Sequence, residues 1–159
     1  MEHDRTVIVH SLDEATVALA EGQAQGRRVT LLSAPGAALY AGCGWWRALV
    51  EAARSRHPDV PCTDILDCAD GTGQALAALR VGLTRLVLWP DAPGREAAVA
   101  IAESLGGFVL PVAPPADPLV NRTRVSRRAA SGSRAGWAEP GRGPANETPG
   151  NGDKTRSPG

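Results

Sequence analysis

Lysine is nearly absent from this chain of 159 residues: Lys154, close to the C-terminus, is the only one, against 16 arginines. No lysine is therefore available to a folded core, which removes Schiff-base and pyridoxal chemistry and the Walker P-loop with its Gly-Lys-Ser/Thr. Phe and Tyr occur once each, too few for the stacking platforms of single-strand nucleic-acid binders. Cysteine is sparse and odd in number, with Cys43, Cys62 and Cys68 spaced by 19 and 6 and no Cys-x-x-Cys pair, which argues against a disulfide framework or a zinc knuckle. The N-terminus begins with acids where a signal peptide would carry a basic region, and its apolar run is only Val7 to Val9. No uncharged apolar stretch reaches 18 residues. These absences predict a cytoplasmic protein with no membrane span.

The net charge of zero conceals two different materials. Residues 1–118 hold 9 Arg against 14 Asp or Glu, a net of −5, while residues 119–159 hold 8 basic residues against 3 acids, a net of +5. Beyond Asn121, Ser, Gly, Arg, Pro and Asn dominate without apolar periodicity. Such a segment cannot bury enough apolar surface to offset its ordering entropy. The sequence thus predicts one α/β domain over 1–118 and a disordered basic tail over 119–159. Arg122, Arg124, Arg127, Arg128 and Arg134 in that tail could attract phosphate backbones weakly, but solvated charges explain them as well. Without an export signal, the glycosylation-like triplets at Asn121 and Asn146 carry no weight.

Within the first part, short β-rich runs alternate with segments of helical period. Thr6 to His10 reads as a strand. Ser11 and Glu14 have the spacing of a capping box, and Leu12, Ala15, Thr16, Leu19 and Ala20 share one helical face that Gly22 or Gly26 can end. Arg28 to Ser33 follows as a strand. A helical stretch with a break at Gly42-Cys43-Gly44 then continues through Trp45 and Trp46 to about His57. Cys62 to Asp67 reads as the third strand, Gln74 to Arg80 as a helix, and Arg85 to Trp89 as a strand buried on both faces. A helix around Ala98, Ile101, Ala102 and Leu105 and a strand from Phe108 close the pattern. The alternation predicts a small three-layer α/β fold: a mostly parallel five-stranded sheet with helices on both faces, in the flavodoxin-like order 2-1-3-4-5.

In such a sheet, ligands bind beyond the carboxyl ends of the strands, which directs attention to Ser33, Gly36, Asp67, Asp70 and Asp91. The three aspartates could hold Mg²⁺ through hard oxygen ligands, although Asp70 and Asp91 also stand where helix N-caps belong. Gly71-Thr72-Gly73 follows a strand as a dinucleotide fingerprint would, but residue 76 is Leu where the third glycine belongs. The fold resembles a phosphorelay receiver in topology only, since His10-Ser11 and Pro111-Val112 occupy the places of its acidic pair and lysine. Cys68 with His10 as base would be a nucleophile pair if the two met, and Cys43, Cys62, Cys68 and His57 a metal set if folding gathered them.

Trp45 and Trp46 lie about 100° apart around a helix, so both are buried only under a wide contact. One of them is then a candidate for a protein or homo-oligomer interface. Two functional expectations follow. The first is a non-catalytic binding or protein-interaction module. The second is a small Mg-dependent phosphotransfer or hydrolytic enzyme working at the carboxyl ends of the strands.

Overall fold

The computed structural model describes residues 4–119. The expected tail lies outside the described residues from position 120 onward. The element order is β1 (Arg5–Val9), α1 (Leu12–Gln25), β2 (Val29–Ser33), α2 (Ala37–Tyr40), α3 (Gly42–Arg56), β3 (Cys62–Asp67), α4 (Thr72–Arg80), β4 (Arg85–Val87), α5 (Arg95–Ser104), β5 (Phe108–Leu110) and β6 (Asp117–Pro118). The strands form one six-stranded sheet in which every pairing is parallel. The alternating α/β pattern read from the sequence is therefore present, with β6 as an additional strand.

Local signals account for several element boundaries. Ser11 Oγ accepts the Glu14 amide at 3.2 Å, and the Glu14 carboxylate reaches back to accept the His10 amide at 2.7 Å. The first bond is the one that the Ser11/Glu14 spacing implies, while the return bond falls on the amide of His10, one residue before the N-cap. Gly26, at φ 61°, ends α1 in the left-handed conformation that a side chain disfavours. The break expected at Gly42-Cys43-Gly44 falls at Ala41, and Gly44 lies inside α3. Asp64 is tolerated in the middle of β3 because Arg54 Nη2 donates to its Oδ1 at 2.8 Å. Burial works against the Arg54 charge, but Asp64 and the Cys62 side chain outweigh it and hold the guanidinium pKa above its usual value.

The strand order is β5-β4-β3-β2-β1-β6, not the expected flavodoxin-like 2-1-3-4-5. The difference also changes the layers. From β1 to β5 each crossover moves one strand in the same direction, and right-handed crossovers in one direction place every helix on one face. The core confirms this placement: residues of all five helices pack with Val7, Val9, Val29, Leu31, Leu66, Leu86 and Leu88 in one cluster. The fold is thus an α/β two-layer arrangement, and the expectation of a third layer is corrected.

The return from β5 to β6 runs in the opposite sense, so a right-handed connection must cross the helix-free face. Leu32, Ile65 and Val87 are buried there with Ile8, Leu110 and Ala116 packed against them. Away from this strap the face carries a partly exposed row, Thr6, Thr30 and Thr63, aligned across β1, β2 and β3. Five inter-strand steps of about 4.8 Å require ~24 Å, and the seven residue steps from Leu110 to Asp117 span about 22–25 Å when extended. The connection is nearly taut, and Pro111, Pro114 and Pro115 hold it extended. Leu119, one residue past the expected boundary at Pro118, is buried in the main core.

Candidate functional site

At the carboxyl edge of the sheet, two of the polar residues that the sequence offered for chemistry, Ser33 and Asp67, are turned inward. Asp67 ends β3 and is buried. Its Oδ1 accepts the Gly36 amide at 3.1 Å and the Ala69 amide at 2.9 Å. Its own amide donates to Ser33 Oγ at 2.9 Å, and that hydroxyl donates to the Ala34 carbonyl at 3.2 Å. Asp67 and Ser33 therefore tie the turn after β2 to the turn after β3. Ala69, the only described non-glycine residue with positive φ, at 48°, is held in that conformation by this carboxylate and by the Trp89 amide, which donates to the Ala69 carbonyl at 2.7 Å. Asp67, Ser33 and Gly36 are brought together in a structural knot.

Asp70 and Asp91 are exposed. Neither caps a helix: the N-caps of α4 and α5 are Gly71 and Gly94, without side-chain cap bonds. Among the described residues, no group of three His, Cys, Asp or Glu side chains could hold a metal ion. The Asp67/Asp70/Asp91 set and the set of Cys43, Cys62, Cys68 and His57 are therefore not assembled as ligand clusters. In the second set, Cys68 follows β3 and Cys43 opens α3 at the carboxyl edge, whereas Cys62 begins β3 and His57 ends α3 at the other edge.

The remaining candidates are also accounted for. Burial first, then Asp67 and Cys43, push the Cys68 thiol up to about 12, so it stays protonated near neutrality and is no nucleophile. The His10 ring pairs instead with Glu14, Nδ1 to Oε2, at 3.1 Å. Arg95 donates through Nε to the Leu88 carbonyl at 3.0 Å and through Nη2 to the Val109 carbonyl at 3.3 Å, closing the ends of β4 and β5. Thr72 Oγ1 donates to the Pro93 carbonyl at 2.6 Å. A Cβ at Gly71 would lie 2.5 Å from Leu39 Cδ2, so the close approach this glycine permits is taken by a side chain of the same protein.

Apolar surface remains at this edge. Leu39 and Tyr40 of α2, Trp45 in the first turn of α3 and Trp89 after β4 are 46%, 71%, 39% and 47% exposed. Leu39 lies over Gly36 and Gly71, and Trp89 is joined through its backbone to Ala69, itself a neighbour of Gly36. The two adjacent tryptophans divide as their angular separation requires. Trp46 is fully buried, and Trp45 is turned outward with ring centroids 6.1 Å apart. Among the described residues, the Trp46 indole N–H has no hydrogen-bond partner.

Leu39, Tyr40 and Trp89 were not singled out in the sequence. The reading of Arg85 to Trp89 as a strand buried on both faces fails at its end, because β4 stops at Val87 and Trp89 enters the following turn. The signal available was Pro90 immediately after it, which marks a turn.

Acids concentrate at the same edge, with Asp13, Glu14 and Glu96 in the first turns of α1 and α5 beside Asp70 and Asp91. An open depression of about 600 Å³ lies elsewhere, where Asp4, Arg5, Thr6, Gln25 and Arg27 meet Pro115, Ala116 and Asp117. None of the expected site residues lines it. No protein-family model matches this chain, and comparison with curated proteins yields no match. Among the described residues, no helix is long and apolar enough to cross a membrane.

Proposed function

We propose that this protein is a non-catalytic binding module that receives a polypeptide partner on the carboxyl edge of its sheet. One observation carries the reading: Leu39, Tyr40, Trp45 and Trp89 are large and exposed there, while Ser33, Asp67, Thr72 and Arg95 are engaged in hydrogen bonds within the fold. Aromatic side chains on a polar rim are the composition of interface centres. The exposed acids Asp70, Asp91 and Glu96 favour a basic partner by charge complementarity.

The test is a fluorescence and NMR titration with two synthetic 15-residue peptides of equal apolar content, one arginine-rich and one glutamate-rich. The arginine-rich peptide is expected to bind, to shift the Trp45 and Trp89 indole resonances, and to lose affinity at high salt. Tyr40→Ser and Trp89→Ser abolish the effect. Binding that persists in both variants overturns the proposed surface. A Mg²⁺-dependent phosphomonoester hydrolysis that disappears in Asp70→Asn with Asp91→Asn would instead establish the enzymatic alternative.

A further inference from the structure

We infer that the first occupant of this edge is the protein's own C-terminal segment, residues 120–159, so that a partner must displace it. The inference rests on the reading of the edge as a peptide-receiving surface. Its first support is where the described chain ends. β6 runs parallel to β1, with Asp117 opposite Val7 and Pro118 opposite Ile8. Leu119 therefore follows at the level of Val9, and the chain heads out of the sheet at the edge bearing Tyr40, Trp45 and Trp89.

The second support is charge. Residues 1–118 carry a net of −5 and residues 119–159 a net of +5. The five arginines between 122 and 134 face a choice between two edges. The carboxyl edge presents Asp70, Asp91 and Glu96, whereas at the opposite edge Asp4, Asp59 and Glu103 are interspersed with Arg27, Arg28, Arg56 and Arg80. The basic segment is attracted more strongly to the first than to the second. Val125 and Trp137 supply apolar side chains to meet the exposed ones.

Reach is sufficient. The loops after β2 and β4 lie two and four strand spacings from β6, about 10 to 20 Å, and a chain of 15 residues covers on the order of 21 Å without being stretched. Tethering holds the segment at millimolar effective concentration, so weak affinity suffices for docking. A competitor with more basic or aromatic contacts than the tail itself offers takes its place.

The scarcity of lysine provides the test. In the full chain, Lys154→Arg combined with Arg128→Lys moves the only side-chain amine into the arginine cluster. Zero-length carbodiimide coupling at low ionic strength, followed by peptide mapping, then reports which carboxylate position 128 visits. The expected product is an intramolecular bond to Asp70 or Asp91. It disappears in high salt and in Trp89→Ser with Tyr40→Ser, where both carboxylates remain.

Coupling to Asp4 or Asp59 as often as to Asp70 or Asp91, or coupling between chains only, overturns the inference; the second result would assign the segment to another copy. If position 128 does not reach the edge while the arginine-rich peptide still binds it, the binding-module reading stands and only its occupant changes. If neither is found, both fall.

Discussion

Leu119→Ala is the substitution most sensitive to how the sheet is closed. β6 has two residues, one of them Pro118 without an amide hydrogen, so backbone pairing contributes little to its attachment. The side chain that follows is 1% exposed and belongs to the main core. Truncating a buried leucine to alanine costs 2.7–5.0 kcal/mol in a well-characterised series, and an edge position able to relax falls near the low end, about 3 kcal/mol. With an unfolding entropy of roughly 2.1 cal/mol/K per residue, a unit of this size should lose ~12 °C in melting temperature. Val112→Ala is the control: the side chain lies on the same strap but is 66% exposed, and its loss should stay within about 0.5 kcal/mol, or ~2 °C. Differential scanning calorimetry of the two full-length variants checks both. A loss below ~4 °C for Leu119→Ala, or equal losses for the two, would refute the docking of β6 and with it the exit of the chain at the carboxyl edge.

Further predictions concern the knot at the carboxyl edge and the packing beneath it. Asp67→Ala leaves the amides of Gly36 and Ala69 without their acceptor and should cost about 2–3 kcal/mol in urea unfolding, whereas Asp67→Asn keeps a carbonyl oxygen for both and should cost much less. Gly107→Ala places a Cβ 1.9 Å from the Thr84 carbonyl oxygen and should destabilise by at least about 2 kcal/mol, while Gly44→Ala, with open space around it in α3, should stabilise by about 0.5–1 kcal/mol. Cys68 has a folded-state pKa raised from 9.0 to about 12. Below pH 9 both states hold the proton; between pH 9 and 12 the unfolded chain releases it first, so stability falls as pH rises, by up to about 4 kcal/mol at ~1.4 kcal/mol per unit. Cys68→Ala should flatten that limb of the pH–stability curve, and an unchanged slope would show that the thiol is not the group responsible.

The elements were legible because each rests on local chemistry: a capping box at Ser11 and Glu14, a glycine closing α1, and short β-branched runs separated by turns. Their order was not. Nothing in the run Thr6 to Val9 distinguishes a central strand from the next-to-edge strand that β1 is, since the residues that decide it are Leu119 and the strap from Pro111, more than 100 positions away. The strap is a proline-rich run, Pro111 to Pro118, and the expected domain boundary falls at its last proline. Its length matters only once the width of the sheet is known, and that width depends on the strand order. Trp45 and Trp46 were partly legible: helix geometry required them to diverge, but only packing against the core determines which one turns inward.

The same topological choice explains why the turns at the carboxyl edge bond to one another. In a doubly wound sheet, a crevice opens where neighbouring strands send their helices to opposite faces. From β1 to β5 no such reversal occurs, because all the crossovers step in one direction over one face. The turns after β2, β3 and β4 therefore close on one another, and Asp67, Thr72 and Arg95 are drawn into bonds between them. The reversal comes at β6, carried by a strap that brings no helix and leaves the chain at the edge it has not covered. A sheet wound this way presents a hydrogen-bonded rim bearing the exposed side chains of Leu39, Tyr40, Trp45 and Trp89, and it is on that rim that the proposed contact with a polypeptide segment rests.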